Sequence, residues 1–198
     1  MQLVLASSSK SRAAQISQLQ INFQTYAPDI DESAKENESA EQLVLRLATE
    51  KAKKVASIFP NSVIIAGDQV HKVGNKIHGK PHDYETARNQ LSLASGQKTQ
   101  FLSGIAVLNT NTNKLVARLL VTEVTFKTLT AEEINKYLEI DQPFECAGSI
   151  RIEGLAPCLI SEIKTPDPTA ITGMPLIVCC EMLAAVGFDC LKHAHRNS

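Results

Sequence analysis

Residues 62 to 81 read SVIIAGDQVHKVGNKIHGKP. Four apolar residues, Val63 to Ala66, run straight into Gly67-Asp68-Gln69, and Gly79-Lys80-Pro81 follows a short way on. An apolar run this short, bounded by a turn signal, predicts a buried strand that ends near Gly67. The strand thus delivers an aspartate at its end and a lysine one loop later.

Upstream, Leu3 to Ala6 is a short apolar strand, and Ser7, Ser8 and Ser9 lead into a helix with Ala13, Ile16 and Leu19 turned inward. The segment APDIDES, residues 27 to 33, is an acidic loop. Ser39 and Gln42 have the spacing of a capping box and open the next helix. Its Leu43, Val44, Leu47, Ala48, Ala52 and Val55 share one broad face, and Lys51 falls in the middle of that face. Downstream, Asp83 caps a helix that ends at Gly96, with Tyr84, Ala87, Leu91 and Ala94 inward. Residues 99–109 and 115–128 read as two strands joined by NTNTN. Thr130 and Glu133 form a second capping box, and residues 146–154 (CAGSIRIEG) read as a glycine-bounded loop or short helix. Pro175 opens a last helix that stops near Gly187, followed by a loose tail over 193–198. Strands alternating with helices, then a long hairpin, predict an α/β fold with a mixed sheet and one domain over residues 1–198, with the hairpin in a second lobe.

The bulk composition narrows the function. The 198 residues are 43% hydrophobic, enough for a sizeable core, and 20 Lys+Arg against 21 Asp+Glu give a net charge of −1. No basic surface of the kind that binds duplex nucleic acid is advertised. The most apolar stretch, Pro175 to Phe188, is interrupted by Glu181 and is too short to span a bilayer. The start, MQLVLASSSKSR, lacks a basic n-region and an extended apolar h-region, so it reads as a first strand and not a signal peptide. Cys146, Cys158, Cys179, Cys180 and Cys190 are odd in number and form no C-x-x-C, which points to reduced thiols and a cytoplasmic protein.

Four features can carry chemistry. SSSKSR offers hydroxyls and free N–H groups at a helix start, with the Arg12 fork; it reads either as an anion cradle or, taken alone, rather as an ordinary N-cap beside a surface arginine. Asp31-Glu32 offers hard oxygen ligands for a cation such as Mg²⁺, or a solvated loop. Lys51 must either snorkel to water or meet an anion. Asp68 is either a turn residue or a site carboxylate, placed where α/β folds put their sites. Together they equip a cleft for metal-assisted cleavage of a phosphoanhydride. No Walker-type glycine-rich loop is present, so a P-loop enzyme is excluded.

The ordered set SSSxSR, DE, EKA, GDQ, GKP, SG, CAGS and GMPL, from Leu3 to about Cys190, resembles the Maf family of nucleoside triphosphate pyrophosphatases. GDQ, and SIRIEG after CAGS, resemble the subfamily that prefers 7-methyl-GTP. The resemblance implies an elongated α/β body with a deep cleft between two lobes. It implies hydrolysis between the α and β phosphates, with a divalent cation (Mg²⁺, Mn²⁺ or Co²⁺). It assigns Asp68 as the base that activates water, Ser7, Ser9, Arg12, Lys51 and Lys80 to phosphates, Glu32 with Asp68 to the metal, and Ser11, Gln69 and Glu153 to base preference. A homodimer and the clearance of modified nucleotides are implied in the same way. The chain departs from the family at Lys10 and Ser11, where an aromatic could stack on the cationic methylated base and Ser11 cannot. Competing readings are a Maf-type enzyme for dTTP or UTP, a phosphohydrolase releasing orthophosphate, and a non-catalytic regulator of septum formation.

Overall fold

A computed structural model describes residues 1–195. Residues 196–198, the end of the expected tail, lie outside them. The strands are β1 (Gln2–Ala6), β2 (Phe23–Thr25), β3 (Ser62–Val73), β4 (Lys76–His78), β5 (Lys98–Asn109), β6 (Lys114–Phe126) and β7 (Ile160–Lys164). The helices are α1 (Lys10–Ser17), α2 (Ala40–Ala56), α3 (Tyr84–Ala94), α4 (Ala131–Asp141), α5 (Leu176–Ala185) and α6 (Cys190–His193). The strands follow the order β2-β1-β3-β5-β6-β7, with β4 paired to β3. β1 pairs in parallel with β2 and β3, whereas β3–β4 and β6–β7 are antiparallel. The sheet is therefore mixed, as expected.

The chain divides into two compact units. The first holds Met1–Asp68, Ser103–Leu120 and the segment from Asp167 onward; the second holds Gln69–Leu102 and Val121–Pro166. In the first unit, Leu3, Leu5, Val63, Ile65, Ile105 and Val107 pack against Ile16 and the apolar residues of α5. Val4, Ala6, Ile64, Ala66, Ala106 and Leu108 pack against Ala48, Ala52 and Val55 of α2. Period-two alternation thus sends one set of strand side chains to each face, and helices cover both. Gly104 of β5 is required by this packing. A Cβ there would collide with the backbone of Val44 and Leu45, so only glycine lets α2 lie this close.

Three expectations need correction. The strand predicted to stop near Gly67 continues to Val73 and then folds back. Gly74-Asn75 forms a two-residue hairpin loop between the paired Val73 and Lys76, with Gly74 at φ +57. Tyr84, expected inward, is exposed at the start of α3, where its hydroxyl donates to Asn135 Oδ1 at 3.1 Å. The tail is tied down at its start: Ala194 bridges to Ile21, His195 N–H donates to Gln20 O, and His193 stacks on Phe188. The short strands β2, β4 and β7 were not foreseen; each is five residues or fewer and leans on a neighbour for its hydrogen bonds. Both capping boxes, at Ser39/Gln42 and Thr130/Glu133, are formed. No helix among the described residues is long and apolar enough to cross a membrane, and all five cysteines are free thiols.

Candidate active site

Asp68 lies inside β3, not at its end, and is buried. Gly67 before it serves as a spacer and makes no turn. A Cβ at 67 would make ordinary contact with Gly104 O and Met174 Cε at 3.5 Å and with Arg12 Nε at 3.7 Å, so the position lies close to both side chains. A buried carboxylate needs a charged or hydrogen-bonding partner. Lys51, on the apolar face of α2, supplies it: its Nζ donates to Asp68 Oδ1 at 2.7 Å. Lys51 is itself only 6% exposed, so it does not snorkel; it meets anions. The same ammonium also contacts Glu32 Oε1 at 2.9 Å.

Glu32 is exposed on a loop without secondary structure, yet the loop is anchored. Arg46 of α2 grips Glu38 through Nε at 2.6 Å and Nη2 at 2.8 Å, and its Nη2 also donates to Ser33 O. This fork holds the Glu38 carboxyl at about 2, well below its ordinary value, mainly through the hydrogen bond from Arg46. Asp31, singled out together with Glu32, is committed to its own turn: Oδ1 accepts from Ser33 N–H at 2.9 Å. Arg46 was not singled out from the sequence; Glu50, which the spacing also allows to pair with Lys54, meets Arg46 at 3.0 Å.

The serines shape the start of α1. Ser9 is the N-cap of α1, its Oγ accepting from Arg12 N–H at 3.3 Å, and Ser7 Oγ in turn accepts from Ser9 N–H at 3.1 Å. The N-cap is formed, but Arg12 is not the surface arginine that the capping reading assumed. Arg12 Nε donates to Gly173 O at 3.0 Å, and Gln15 of α1 donates to Thr169 O and Met174 O. The ITGMPL segment is thus the clamp that aims the guanidinium. Burial pushes the Arg12 pKa down from its ordinary value, while the charges of Asp68 and Glu32 pull it back up. Asp167 sustains this clamp from behind. It is fully buried, and Oδ2 accepts from Ile177 and Val178 N–H at the start of α5. Ser11, in the first turn of α1, is half-buried.

Gln69, Lys80 and Glu153 belong to the second unit. Gln69 follows Asp68 directly in β3. The Lys80 loop is stitched to the CAGS turn: Gly79 O accepts from Gly148 N–H at 3.3 Å and from Gln90 Nε2, and Gln90 Oε1 accepts from the buried Ser149 hydroxyl at 2.6 Å. Gly148, at φ +66, also lies against the ring of His71, where any Cβ would land on the imidazole. The Glu153 turn is anchored by Asp141, which accepts from Arg151 Nη2 at 3.0 Å and Leu155 N–H at 2.7 Å, and by Tyr137, whose hydroxyl accepts from Arg151 N–H. A Cβ on Gly154 would collide with the Asp141 carboxylate. Asp141 and Gln90 were not foreseen; each is a buried polar residue on a helix face whose partner is distant in sequence.

In the first unit, then, two cationic and two anionic groups are brought together: Arg12 and Lys51 with Asp68 and Glu32. The carboxylates are hard oxygen donors that reach one nitrogen. Among the described residues no group of three or more His, Cys, Asp or Glu side chains could hold a metal. Two carboxylates fit a Mg²⁺-type ion, which keeps several waters and takes further oxygens from a phosphate substrate.

The model of the Maf-like protein family matches residues 2–186. The chain is 45% identical over 185 residues to the 7-methyl-GTP pyrophosphatase of Alcanivorax borkumensis, covering 93% of this chain and 94% of that one. It is 44% identical to the 7-methyl-GTP pyrophosphatase of Pseudomonas fluorescens strain Pf-5, covering 94% and 97%, and 42% identical to that of Nitrosococcus oceani, covering 96% and 95%. Among solved structures, the Ham1 protein of Staphylococcus aureus aligns with a TM-score of 0.46 at 13% identity, over 79% of this chain and 90% of that one, too distant to bear on the site. With a family match across residues 2–186 and relatives of near-equal length above 40% identity, the chain belongs to the Maf family.

Proposed function

We propose that this protein hydrolyses a nucleoside triphosphate, with 7-methyl-GTP preferred, to the monophosphate and pyrophosphate. The observation that carries this is the buried Lys51–Asp68 pair with Glu32 on the same ammonium. Three relatives named as 7-methyl-GTP pyrophosphatases support the substrate.

In this reading Asp68 is the general base. Lys51 donates to Oδ1, and Oδ2 is the oxygen that takes the proton of water. The water oxygen bonds to the α phosphorus, the bond from that phosphorus to the oxygen bridging to the β phosphate breaks, and pyrophosphate leaves. A positioned base contributes about 10²–10⁴ in rate. Arg12 and Lys51 stabilise the charge that develops on phosphate oxygens, and Ser7 and Ser9 hold the turn that presents the α1 N–H groups to a phosphate. A divalent ion held by Glu32 and Asp68 would screen the phosphate charge and polarise the phosphoryl group. Lys80 takes a phosphate role. Glu153 accepts from the guanine N1–H and amine and favours the positive charge of an N7-methylated base, with Gln69 and Ser11 completing base preference. A site that hydrogen-bonds its base rejects analogues more strongly than an apolar one. The five free thiols suit a reducing, cytoplasmic setting.

The test is a nucleotide panel with Mg²⁺, with the released phosphate species identified. Pyrophosphate released fastest from 7-methyl-GTP is the expected result. Preference for dTTP or UTP would overturn the base assignment, orthophosphate would overturn the reaction class, and no cleavage of any triphosphate would overturn the enzymatic reading.

A further inference from the structure

Beside Lys80 stands a second donor that the family resemblance does not include. Glu145 spans the two: its Oε2 lies 3.2 Å from Lys80 Nζ and its Oε1 lies 3.2 Å from His82 Nδ1. The Glu145 carboxyl is held below its ordinary value, first by the hydrogen bond from Lys80 and then by that from His82. A carboxylate that accepts from two separate donors through its two oxygens occupies them much as two oxygens of one phosphate would.

The backbone holds this arrangement. His82 is a non-glycine residue at φ +61, a conformation that costs free energy and persists only where surroundings impose it. Its N–H donates to Phe144 O at 3.0 Å, which ties the His82 backbone to the residue before Glu145. Asp83, the next acidic group, is already committed: its carboxylate accepts from Thr86 N–H at 2.7 Å and Thr86 Oγ1 at 2.8 Å, as the N-cap of α3. It does not compete for the two donors.

The energetics favour exchange. The side chains of Lys80, His82 and Glu145 are 45%, 66% and 71% exposed. Ion pairs this open to water contribute roughly 0–1 kcal/mol, so an incoming polyanion displaces Glu145 at little cost. We propose that His82 is a second phosphate-binding residue alongside Lys80, and that Glu145 is the placeholder a pyrophosphate group displaces from both. The proposal rests on the pyrophosphatase reading and adds a residue to it.

The probe is inorganic pyrophosphate, titrated calorimetrically into the full chain with Mg²⁺. His82→Asn is the informative variant, because asparagine tolerates positive φ better than most residues while withdrawing the ring donor. It is expected to bind pyrophosphate about tenfold more weakly, a loss of about 1.4 kcal/mol. His82→Lys, which keeps a donor there, is expected to recover most of the loss. Glu145→Gln, which removes the competing charge, is expected to bind more tightly than the parent. Equal binding by the parent and His82→Asn would overturn the role of His82. Weaker binding by Glu145→Gln would overturn the placeholder. A parent that binds pyrophosphate and cleaves 7-methyl-GTP while His82→Asn is unaltered sinks this inference alone. A parent that neither binds nor cleaves sinks the pyrophosphatase reading beneath it. Thermal melts of each variant separate loss of binding from loss of fold.

Discussion

Lys51 and Lys80 are both held by carboxylates, and they are otherwise unlike. Lys51 sits on the apolar face of α2, 6% exposed, with Asp68 and Glu32 on its ammonium. Lys80 stands on a loop of the other unit, 45% exposed at its side chain, and meets Glu145 in water. Burial is what separates them. An ammonium removed from water must be paired or the fold loses stability, so the first pairing is obligatory. The second is nearly neutral in free energy and therefore available to a ligand. The buried pair is positioned in advance; the exposed pair waits to be replaced.

Asymmetry in stability is the sharpest way to break this comparison. Lys51→Met leaves Asp68 buried without its cation, and about 3–5 kcal/mol of stability is expected to go in urea unfolding, together with activity. Lys80→Met is expected to change stability by no more than about 0.5 kcal/mol while still impairing turnover. Equal losses in the two variants would show that burial does not distinguish these sites.

Next in size is Asp68→Asn. Turnover is expected to fall about 10²–10⁴-fold, because the amide keeps the shape and loses the base. Steady-state assays of pyrophosphate release read this directly. A variant retaining parental turnover would move the base elsewhere.

His71 extends the comparison to a buried group with no partner at all. It is fully buried, stacked on Phe101 with centroids 4.3 Å apart, and among the described residues neither ring nitrogen has a hydrogen-bond partner. Burial, then the nearby His78, pushes its pKa from 6.5 down to about 3. Between those values the unfolded chain binds a proton that the folded chain refuses. Stability contributed by His71 is therefore constant above about 6.5 and lost progressively as pH falls toward 3. Acidifying from pH 7 to 5 is expected to cost about 2 kcal/mol through this residue, a loss that His71→Phe removes. Melting curves of both proteins at the two pH values test it; parallel losses would show that His71 is not the group responsible.

The smallest expected effect is that of salt. Raising the ionic strength from 0.05 to 0.5 M is expected to weaken pyrophosphate binding at Lys80 and His82 while leaving the Lys51–Asp68 contribution to folding almost untouched. Calorimetry and urea unfolding at both salt concentrations would reveal a common dependence if the two sites were alike.

Much of the framework was legible along the chain because it is local. Ser39 with Gln42, Thr130 with Glu133, and Asp83 announce helix starts by contacts three residues apart, and each cap is present. Lys51 was legible as an anomaly, since a charge centred on an apolar stripe demands an anion. The extent of β3 was misread, because a glycine next to an aspartate signals a turn as strongly as it signals a spacer. Only the pairing that carries β3 on to Val73 separates the two. Asp141 and Gln90 gave no local signal, and their partners lie up to 59 residues away.

By itself, then, the sequence determined the α/β class, most helix boundaries and the identity of the charged residues that demand partners. Caps and apolar stripes act within a few residues, so their physics can be read in one dimension. The tertiary structure alone decided which anion meets which cation. It put Asp68 and Glu32 on Lys51, committed Asp31 to its own turn, and set Glu145 between Lys80 and His82. Those choices depend on burial and on distances between segments remote along the chain, and burial is what turns a carboxylate beside a lysine into either a fixed part of the interior or a contact that a phosphate can replace.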